Sequence, residues 1–308
     1  MNPSKRPKVL AIVGPTASGK SALGVILAKK FGGEIISADS RQVYRGLDIG
    51  TGKITKREMR GIPHYLLDVA SPKKIFTASD FVRAGNQALE KIQCDRKLPI
   101  IVGGTGFYID ALLGEIVLPD VPPNATLRAK LEKMSTDELY ALLQRRDKQR
   151  AATIEPHHKR RLIRALEIAT ALGKNPRPQR SSRYDVLWIG IKPPAQELED
   201  KIKTRLNVRI KIGMIAEAKR LHAGGLSYKR MEALGLEYRA LARLLQKKIN
   251  RAQFEAELFR EIRKYAKRQI TYWKRNKKIT WFDPRENADI EKRVAQWLHS
   301  TSEHEAHS

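Results

Sequence analysis

The feature that most constrains this chain is a glycine-rich loop with the pattern GxxxxGKS. It comprises Gly14, Pro15, Thr16, Ala17, Ser18, Gly19, Lys20 and Ser21. An apolar stretch at 9–13 predicts a buried parallel strand before it, and apolar residues at helical spacing from 23 to 31 predict a helix after it. In this setting successive N–H groups can point at one anion, Lys20 adds a charge, and Ser21 offers a hydroxyl to Mg²⁺. The loop therefore predicts an α/β chain that binds a di- or triphosphate.

Charge is distributed unevenly along the 308 residues, which include 60 Lys+Arg and 33 Asp+Glu. Residues 1–122 hold 18 basic and 11 acidic side chains, so the net charge is +7 before this point and +20 after it. Such an excess is compatible with a strongly charged, well-solvated surface. Its clustering on identifiable helices favours a polyanionic macromolecular partner, bound mainly by the second half.

The chain has one cysteine, Cys94, which excludes a disulfide framework and a thiolate zinc site. Its first residues lack the apolar core of a signal peptide, and no apolar run is long enough to span a membrane. These features predict a cytoplasmic protein without membrane contact.

Further apolar stretches predict strands at 34–38, within 61–69, and at 98–102 and 184–191. A helical segment follows Val121-Pro122-Pro123, and helical spacing returns at 196–223, 228–246 and 251–274. We therefore expect a P-loop kinase-like parallel sheet with helices on both faces, a helical insertion domain and a helical C-terminal region. The expected boundaries are 1–120 for the first part of the core, 121–181 for the insertion, 182–300 for the rest and 301–308 for a polar tail.

Two polar residues follow predicted strands. Asp39 follows the strand at 34–38, and Thr105 follows two glycines after the strand at 98–102. The carboxyl ends of parallel strands meet at one edge, so Asp39 can face bound phosphates, although Asp is also a preferred helix N-cap. P-loop NTPases usually place an acidic residue where Thr105 stands, so the pattern favours a transferase that holds a phosphorylated donor.

The helix predicted at 251–274 carries an apolar stripe that includes Tyr265 and Trp273. Much of its remaining surface is basic, with Glu261 the only carboxylate between Phe259 and Trp273. A solvated face is the usual explanation of such a run, but cations without acidic neighbours suit phosphates along a nucleic-acid backbone. The cations are Arg260, Arg263, Lys264, Lys267, Arg268 and Lys274.

Seven short motifs occur in order along the chain. They are Gly-Pro-Thr-Ala-Ser-Gly-Lys-Ser at 14–21, Asp-Ser-Arg-Gln-Val-Tyr at 39–44, Leu-Asp-Ile-Gly-Thr at 47–51, Gly-Ile-Pro-His at 61–64, Gly-Gly-Thr-Gly-Phe-Tyr at 103–108, Arg-Ala-Leu-Glu at 164–167 and Ala-Lys-Arg-Gln at 266–269. In this combination, from residue 9 to about 283, the chain resembles the bacterial tRNA dimethylallyltransferases, also called tRNA isopentenyltransferases.

The resemblance implies transfer of a dimethylallyl group from dimethylallyl diphosphate to N6 of adenosine 37, beside the tRNA anticodon, with Mg²⁺ as cofactor. It implies that the loop 14–21 holds the diphosphate, that Asp39 takes a proton from the attacking amine, and that Thr105 helps to position it. Lys20 and Arg205 would stabilise the leaving diphosphate, with Ser21 beside Mg²⁺. Contacts with the tRNA anticodon stem-loop would come from Asp39, Ser40, Arg41, Gln42, Arg128, Arg160, Arg161, Leu162, Ile163, Arg164, Arg239, Lys264, Lys267, Arg268 and Gln269. A monomer is expected.

The chain departs from the family pattern at three places. Pro156-His157-His158 stands where many members have Pro-Asn-Asp, and Arg209 replaces the usual methionine four residues beyond Arg205. The family's Gly-Tyr-[Lys/Arg] stretch is represented by 235–239, Gly-Leu-Glu-Tyr-Arg. The last of these departures affects the tRNA contacts expected of that stretch.

Other functions share some of these features. A small-molecule kinase would use the same loop and core, and an isopentenyltransferase that acts on free AMP, ADP or ATP would use the same chemistry. Neither needs the strongly basic second half. A non-enzymatic RNA-binding protein would leave Asp39 and Thr105 beside a phosphate loop unexplained.

Overall fold

The protein is described by a computed structural model over residues 6–176 and 183–300. The described residues form two compact units: those up to Leu113 together with those after Ser182, and those between Gly114 and Ser181.

The larger unit is built on a six-stranded sheet in which every strand pair is parallel. Its order is β3-β2-β4-β1-β5-β6, and crossover connections join strands that follow one another in the sequence. The strands are β1 Lys8–Val13, β2 Gly33–Ala38, β3 His64–Tyr65, β4 Leu98–Gly103, β5 Asp185–Ile191 and β6 Thr280–Phe282. The predicted α/β class with a parallel sheet is confirmed, and the strand predicted at 184–191 joins the sheet beside β1.

Side chains of β1 alternate between the two faces of the sheet, as the period of two requires. Val9, Ala11 and Val13 pack in a cluster with residues of the helix Ala78–Cys94, whereas Leu10 and Ile12 pack with the helix Lys20–Phe31. All five are fully buried. Helices therefore cover both faces, which buries the continuous apolar strands that a parallel sheet needs.

Ten helices accompany the sheet among the described residues of the larger unit. They are α1 Lys20–Phe31, α2 Lys56–Met59, α3 Ala78–Cys94, α4 Gly106–Leu112, α9 Ala195–Lys211, α10 Met214–Ala223, α11 Tyr228–Leu234, α12 Leu236–Leu245, α13 Arg251–Trp273 and α14 Asn287–His299. Helices α9 to α13 share a second core with Ala17, Val43, Tyr44 and Leu47, residues that lie in the loops after β1 and β2. This core holds the loops at the carboxyl edge of the sheet.

The two long helices predicted at 196–223 and 228–246 are each interrupted by a glycine, so both predictions were wrong in this respect. Gly213 separates α9 from α10 with φ of 109°, and Gly235 separates α11 from α12 with φ of 78°. These left-handed conformations favour glycine and end a helix. The strand predicted within 61–69 is only two residues long. Helices α2, α4 and α14, the strand β6 and the helix Lys148–Thr153 were not predicted.

The smaller unit is entirely helical in its described part. It contains α5 Ala125–Leu131, α6 Thr136–Arg146, α7 Lys148–Thr153 and α8 Lys159–Leu172. Leu139, Leu143 and Leu162 are fully buried at the centre of its own core.

Candidate active site

The phosphate loop leaves β1 in a conformation that its residue types make accessible. Gly14 has φ of 152°, and a methyl group there would lie 2.5 Å from the carbonyl oxygen of Ile191 at the end of β5. Gly19 has φ of 94° and forms the N-cap of α1, so the helix begins at Lys20. Ala17 also adopts a left-handed φ, of 64°, which stores strain in the loop. The result is a curled backbone at the positive end of a twelve-residue helix.

Lys20 is half-buried beneath this loop, where Nζ donates a hydrogen bond of 3.0 Å to the carbonyl oxygen of Pro15. Burial lowers the pKa of Lys20 from 10.5 to about 8. The carboxylate of Asp39 opposes this shift and the guanidinium of Arg205 adds to it. Both charges therefore lie close enough to Lys20 to affect its pKa. The structure thus brings together three residues that lie far apart in the sequence.

Asp39 and Thr105 meet because β2 and β4 are neighbouring parallel strands, with Ala38 paired to Gly103. Thr105 Oγ1 accepts a hydrogen bond from the Ser40 N–H at 3.1 Å, which links the two strand ends. Asp39 Oδ1 accepts from the N–H groups of Arg41 at 2.8 Å and Gln42 at 3.2 Å. Among the described residues these are the hydrogen bonds found for Asp39, and both use Oδ1. Asp39 therefore caps a turn with Oδ1, and its Oδ2 takes no part in these hydrogen bonds.

Tyr265 of α13 lies beside Asp39 and Thr105, although its spacing predicts only membership of an apolar stripe. Burial raises the pKa of its hydroxyl, and the charge of Asp39 raises it further, while a hydrogen bond with Thr105 opposes both. The phenol is therefore neutral across the physiological range and remains a hydrogen-bond donor. Apolar spacing cannot show that the hydroxyl of one member of the stripe lies beside polar residues of another element.

Gln269 connects α13 to the phosphate loop. Its Oε1 accepts from the Thr16 N–H at 2.7 Å, and its Nε2 donates to the Gly104 carbonyl oxygen at 2.9 Å. The side chain is 5% exposed, and Gly104 leaves it room because it carries no Cβ. Gln269, for which the sequence predicts a tRNA contact, thus forms a buried link between helix and loop.

A second loop, 47–53, lies under the tip of Arg205. A methyl group at Gly52 would lie 3.1 Å from Nη2 of Arg205. Glu217 of α10 holds this loop. Its buried carboxylate accepts hydrogen bonds of 2.7 to 3.1 Å from the backbone N–H groups of Asp48, Ile49 and Gly50. The Tyr238 hydroxyl donates to the same carboxylate at 2.6 Å. Sequence reasoning missed Glu217, which is 167 residues from Gly50.

The basic face of α13 is less free of acidic partners than its sequence suggests. Arg263 forms an ion pair with Glu199 of α9 at 2.8 Å, and Lys264 forms one with Glu261 at 3.0 Å. The Arg268 guanidinium lies 5.8 Å from the centre of the Tyr265 ring. Lys267 is exposed, and no ion pair is found for it within the part of the chain that the structure describes. Arg260 also lies 4.0 Å from Glu261, so the prediction of unpaired cations was wrong for Arg260, Arg263 and Lys264.

Two further predicted RNA contacts lie together near the start of α12. A methyl group at Gly235 would lie 3.8 Å from an Nη2 atom of both Arg41 and Arg239. Arg41 follows Asp39 and Ser40 directly, so this pair of cations continues the site away from the phosphate loop. Gln42 and Ser40 are half-buried.

The remaining predicted RNA contacts lie in the smaller unit. Glu167, 2% exposed, accepts two hydrogen bonds of 2.7 Å from Arg128 and one of 3.4 Å from Arg164. One carboxylate therefore neutralises part of the charge of both arginines. Arg160 and Arg161 are exposed, whereas the side chains of Leu162 and Ile163 are buried in the core and cannot reach a partner without local unfolding.

The donor set for a divalent cation is small. Within residues 6–176 and 183–300 there is no cluster of three or more His, Cys, Asp or Glu side chains. Mg²⁺ does not need one, because it usually keeps several waters and takes substrate phosphates as ligands. Ser21 is exposed in the first turn of α1, and the buried Ser18 hydroxyl has no hydrogen-bond partner. These hydroxyls fit a phosphate loop whose ligands arrive with the substrate.

No described helix is both long and apolar enough to cross a membrane.

Comparison with known proteins gives a consistent result. The family model described as IPP transferase matches residues 42–276. A tRNA dimethylallyltransferase from Anoxybacillus flavithermus is 39% identical and aligns over 95% of both chains. The tRNA dimethylallyltransferase 2 of Treponema denticola is 41% identical over 90% of this chain and 96% of its own.

Solved structures agree with the sequence relatives. The tRNA isopentenylpyrophosphate transferase of Bacillus halodurans superimposes with a TM-score of 0.73 at 35% identity, over 96% of this chain and 97% of its own. A eukaryotic dimethylallyltransferase acting on tRNA gives a TM-score of 0.81 at 26% identity, over 95% of this chain and 77% of its own. On this evidence, with the loop, the strand ends and the sheet in their expected places, the chain belongs to the IPP transferase family.

Proposed function

We propose that this protein transfers a dimethylallyl group from dimethylallyl diphosphate to N6 of adenosine 37 in tRNA, releasing diphosphate. The observation that carries the proposal is the placement of Asp39 and Thr105 on adjacent strand ends, in the space on which Lys20 and Arg205 also act. The relatives named above, which carry the names of tRNA-modifying prenyl transferases, support the same reaction.

Such a site must first stabilise the leaving group. As the allylic C–O bond breaks, the diphosphate takes the bonding electron pair and its charge grows. Lys20, the N–H groups of the loop and Arg205 then interact more strongly with it than with the intact donor, which is the condition for a faster reaction. The half-buried position of Lys20 makes its charge more effective than it would be in water.

The amine is the second task. The exocyclic N6 of adenine attacks the allylic carbon, a C–N bond forms, and one N6 proton must leave. Asp39 accepts that proton through the oxygen that its turn does not use, and Thr105 fixes the backbone on which Asp39 stands. The adenine must leave its stack to reach this position, as substrates of nucleobase-modifying enzymes do.

Mg²⁺ would bind beside Ser21 and the donor phosphates. When bound, it neutralises part of the diphosphate charge.

The tRNA surface that we propose consists of Arg41, Arg239 and the exposed cations of α13 in the larger unit. For the smaller unit, taken by itself, we propose tRNA contacts at Arg160 and Arg161, with Arg128 and Arg164 in a supporting role. Such cations position the RNA by its phosphates, while the active site selects the base. A cytoplasmic location and a monomeric state remain predictions.

Labelled dimethylallyl diphosphate tests the acceptor directly. The protein is incubated with the donor, Mg²⁺ and either tRNA or AMP, and the label is followed into RNA or nucleotide. We expect transfer to tRNA only, because AMP cannot use the basic surface. Transfer to AMP alone would identify a free-nucleotide enzyme, and phosphorylation of a metabolite by ATP would identify a kinase.

A double variant of α13 tests the RNA surface. Lys267 and Arg268 are adjacent and exposed, so Lys267→Gln/Arg268→Gln should weaken tRNA binding and flatten its salt dependence by about one unit of slope for each lost contact. Donor affinity should barely change. Filter binding at several salt concentrations measures the slope.

The matched control for this variant is Lys29→Gln/Lys30→Gln, which removes two adjacent exposed cations from α1. Helix α1 lies on the sheet face opposite Trp273 of α13, so the control should keep the parent slope. If Arg268 serves only to hold α13 through Tyr265, the double variant melts at a lower temperature and its slope is unchanged, which would remove these residues from the RNA surface.

A further inference from the structure

Arg209 lies one helical turn beyond Arg205 on α9, but its surroundings are different. Its side chain is 13% exposed, whereas Arg205 is exposed at the surface. Nη1 of Arg209 donates to the Gly50 carbonyl oxygen at 2.7 Å and to Glu237 Oε1 at 3.1 Å. The carboxylate of Glu237 is also largely buried, with 12% of its side chain exposed. The two residues form a largely buried ion pair, and Arg209 also donates a hydrogen bond to the loop carbonyl of Gly50.

Both arginines of α9 converge on the same loop residue. A methyl group at Gly52 would lie 3.1 Å from Nη2 of Arg205 and 3.6 Å from both Cδ and Nη1 of Arg209. Gly52 itself has a left-handed φ of 61°. The loop backbone therefore passes close to both guanidinium groups, and a shift of the loop would change the room available to Arg205.

The loop 47–53 is fixed from two sides. Glu217 accepts N–H groups of Asp48, Ile49 and Gly50, while Arg209 donates to the carbonyl oxygen of Gly50. Tyr238 also limits the path, because a methyl group at Gly50 would lie 2.6 Å from its hydroxyl oxygen. Several hydrogen bonds from buried groups on two sides hold a backbone segment in a single conformation, although the buried Nε of Arg209 has no hydrogen-bond partner.

The pair also joins two of the places where this chain departs from its family. Arg209 stands where the pattern has methionine, and Glu237 lies within the segment that replaces Gly-Tyr-[Lys/Arg]. An arginine introduced alone at position 209 would leave a buried charge without a partner. Glu237 supplies that partner.

We propose that Arg209 is a positioning residue for the donor diphosphate, which acts by holding Gly50 and through this loop the guanidinium of Arg205. Glu237 neutralises the charge that Arg209 adds, so that Arg205 remains the cation of α9 that is free to meet the diphosphate. The proposal rests on the function proposed above, since it assumes that a diphosphate binds at the phosphate loop.

The charges around Arg205 are consistent with this arrangement. Desolvation lowers the pKa of Arg205 and the neighbouring Arg209 lowers it further, while Glu58 and Glu237 oppose these effects. Removing Glu237 alone would therefore leave two like charges side by side. Removing Arg209 alone would leave Glu237 as a competitor of the diphosphate for Arg205.

The central test is the double variant Arg209→Met/Glu237→Gln, which removes the pair without leaving a buried charge. Inorganic diphosphate is the probe, and calorimetry gives its Kd. We expect Kd to rise about tenfold, the effect of losing one charged hydrogen bond that fixes the site. The KM for dimethylallyl diphosphate should rise in parallel, while the Kd for tRNA stays at the parent value. Arg209→Lys, which keeps a charged donor near Gly50, should restore Kd to within about threefold of the parent.

A comparable ion pair elsewhere separates positioning from general stability. Arg243→Met/Glu257→Gln removes a partly buried ion pair between α12 and α13. Neither residue of this pair belongs to the 47–53 loop. The Arg243→Met/Glu257→Gln variant should lower the melting temperature without changing the Kd for diphosphate. The inference is overturned if the Arg209→Met/Glu237→Gln protein binds diphosphate like the parent, or if the control variant weakens binding as much.

The outcome also distinguishes failure of the inference from failure of the proposed function. If the parent and Lys20→Ala proteins both fail to bind diphosphate, the donor site itself is misassigned and the inference falls with it. If Lys20→Ala weakens binding and the Arg209 variants do not, the donor site stands and only the inference falls.

Discussion

Replacement of Asp39 by asparagine should reduce prenyl transfer by about two to four powers of ten, the range for loss of a general base. Asparagine is nearly isosteric and keeps an oxygen for the N–H groups of Arg41 and Gln42, so the turn after β2 should be retained. An amide cannot take up the proton of the attacking amine. The chemical step should therefore fail while the fold persists.

Single-turnover transfer with both substrates saturating measures this effect, alongside the Kd of tRNA and the melting temperature. We expect the last two to match the parent protein. Asp283→Asn is a suitable control, because Asp283 also accepts a nearby backbone N–H through Oδ1, at 3.0 Å, in the turn after β6, a strand that three other strands separate from β2. If the Asp39→Asn protein transfers at the parent rate, Asp39 is a turn residue and the base lies elsewhere.

The parts of this fold that sequence predicts well are those set by local pattern. Strands β1, β2, β4 and β5 are short apolar runs, and each is followed by residues of an unmistakable loop type. The sheet-edge rule predicted that Asp39 can face bound phosphates, whereas the association of Thr105 with Asp39 came from the family resemblance. The register of β2 on β4 brings the ends of the two strands side by side.

The supporting contacts of the site escaped prediction because they join distant parts of the chain. Gln269 meets Thr16 across 253 residues, and Glu217 meets Gly50 across 167. Neither glutamine nor glutamate has a pattern that distinguishes a buried link from a solvated side chain. The helix breaks at Gly213 and Gly235 were nevertheless visible in the sequence, since glycine in a helical pattern often marks an end.

Acidic partners of the basic helix illustrate the same limit. The segment between Phe259 and Trp273 contains one carboxylate, but Glu199 reaches Arg263 from α9. Charge counted along one helix therefore overestimates the charge that is free to bind RNA. This is why the test of the surface uses Lys267 and Arg268 rather than Arg263 or Lys264.

Lys20→Ala should lower the rate of transfer by about two to three powers of ten, the scale for loss of one strong electrostatic donor in a preorganised site. The reason is that the charge of the departing diphosphate grows as the C–O bond breaks, so Lys20 stabilises the transition state more than the bound donor. Saturating donor should not restore the rate. Parent turnover at saturating dimethylallyl diphosphate would exclude Lys20 from the reaction.

The pH dependence of diphosphate binding should carry the signature of the same lysine. In the free protein burial lowers the pKa of Lys20 to about 8, so about half of the molecules lack this charge at pH 8. A bound diphosphate favours the ammonium form and raises its pKa, so binding near pH 8 must take up a proton and must weaken as pH rises through 8. Calorimetry in two buffers of different ionisation heat should show this uptake for the parent protein and its loss in Lys20→Ala. Equal proton uptake by both proteins would mean that another group titrates and that Lys20 does not face the diphosphate.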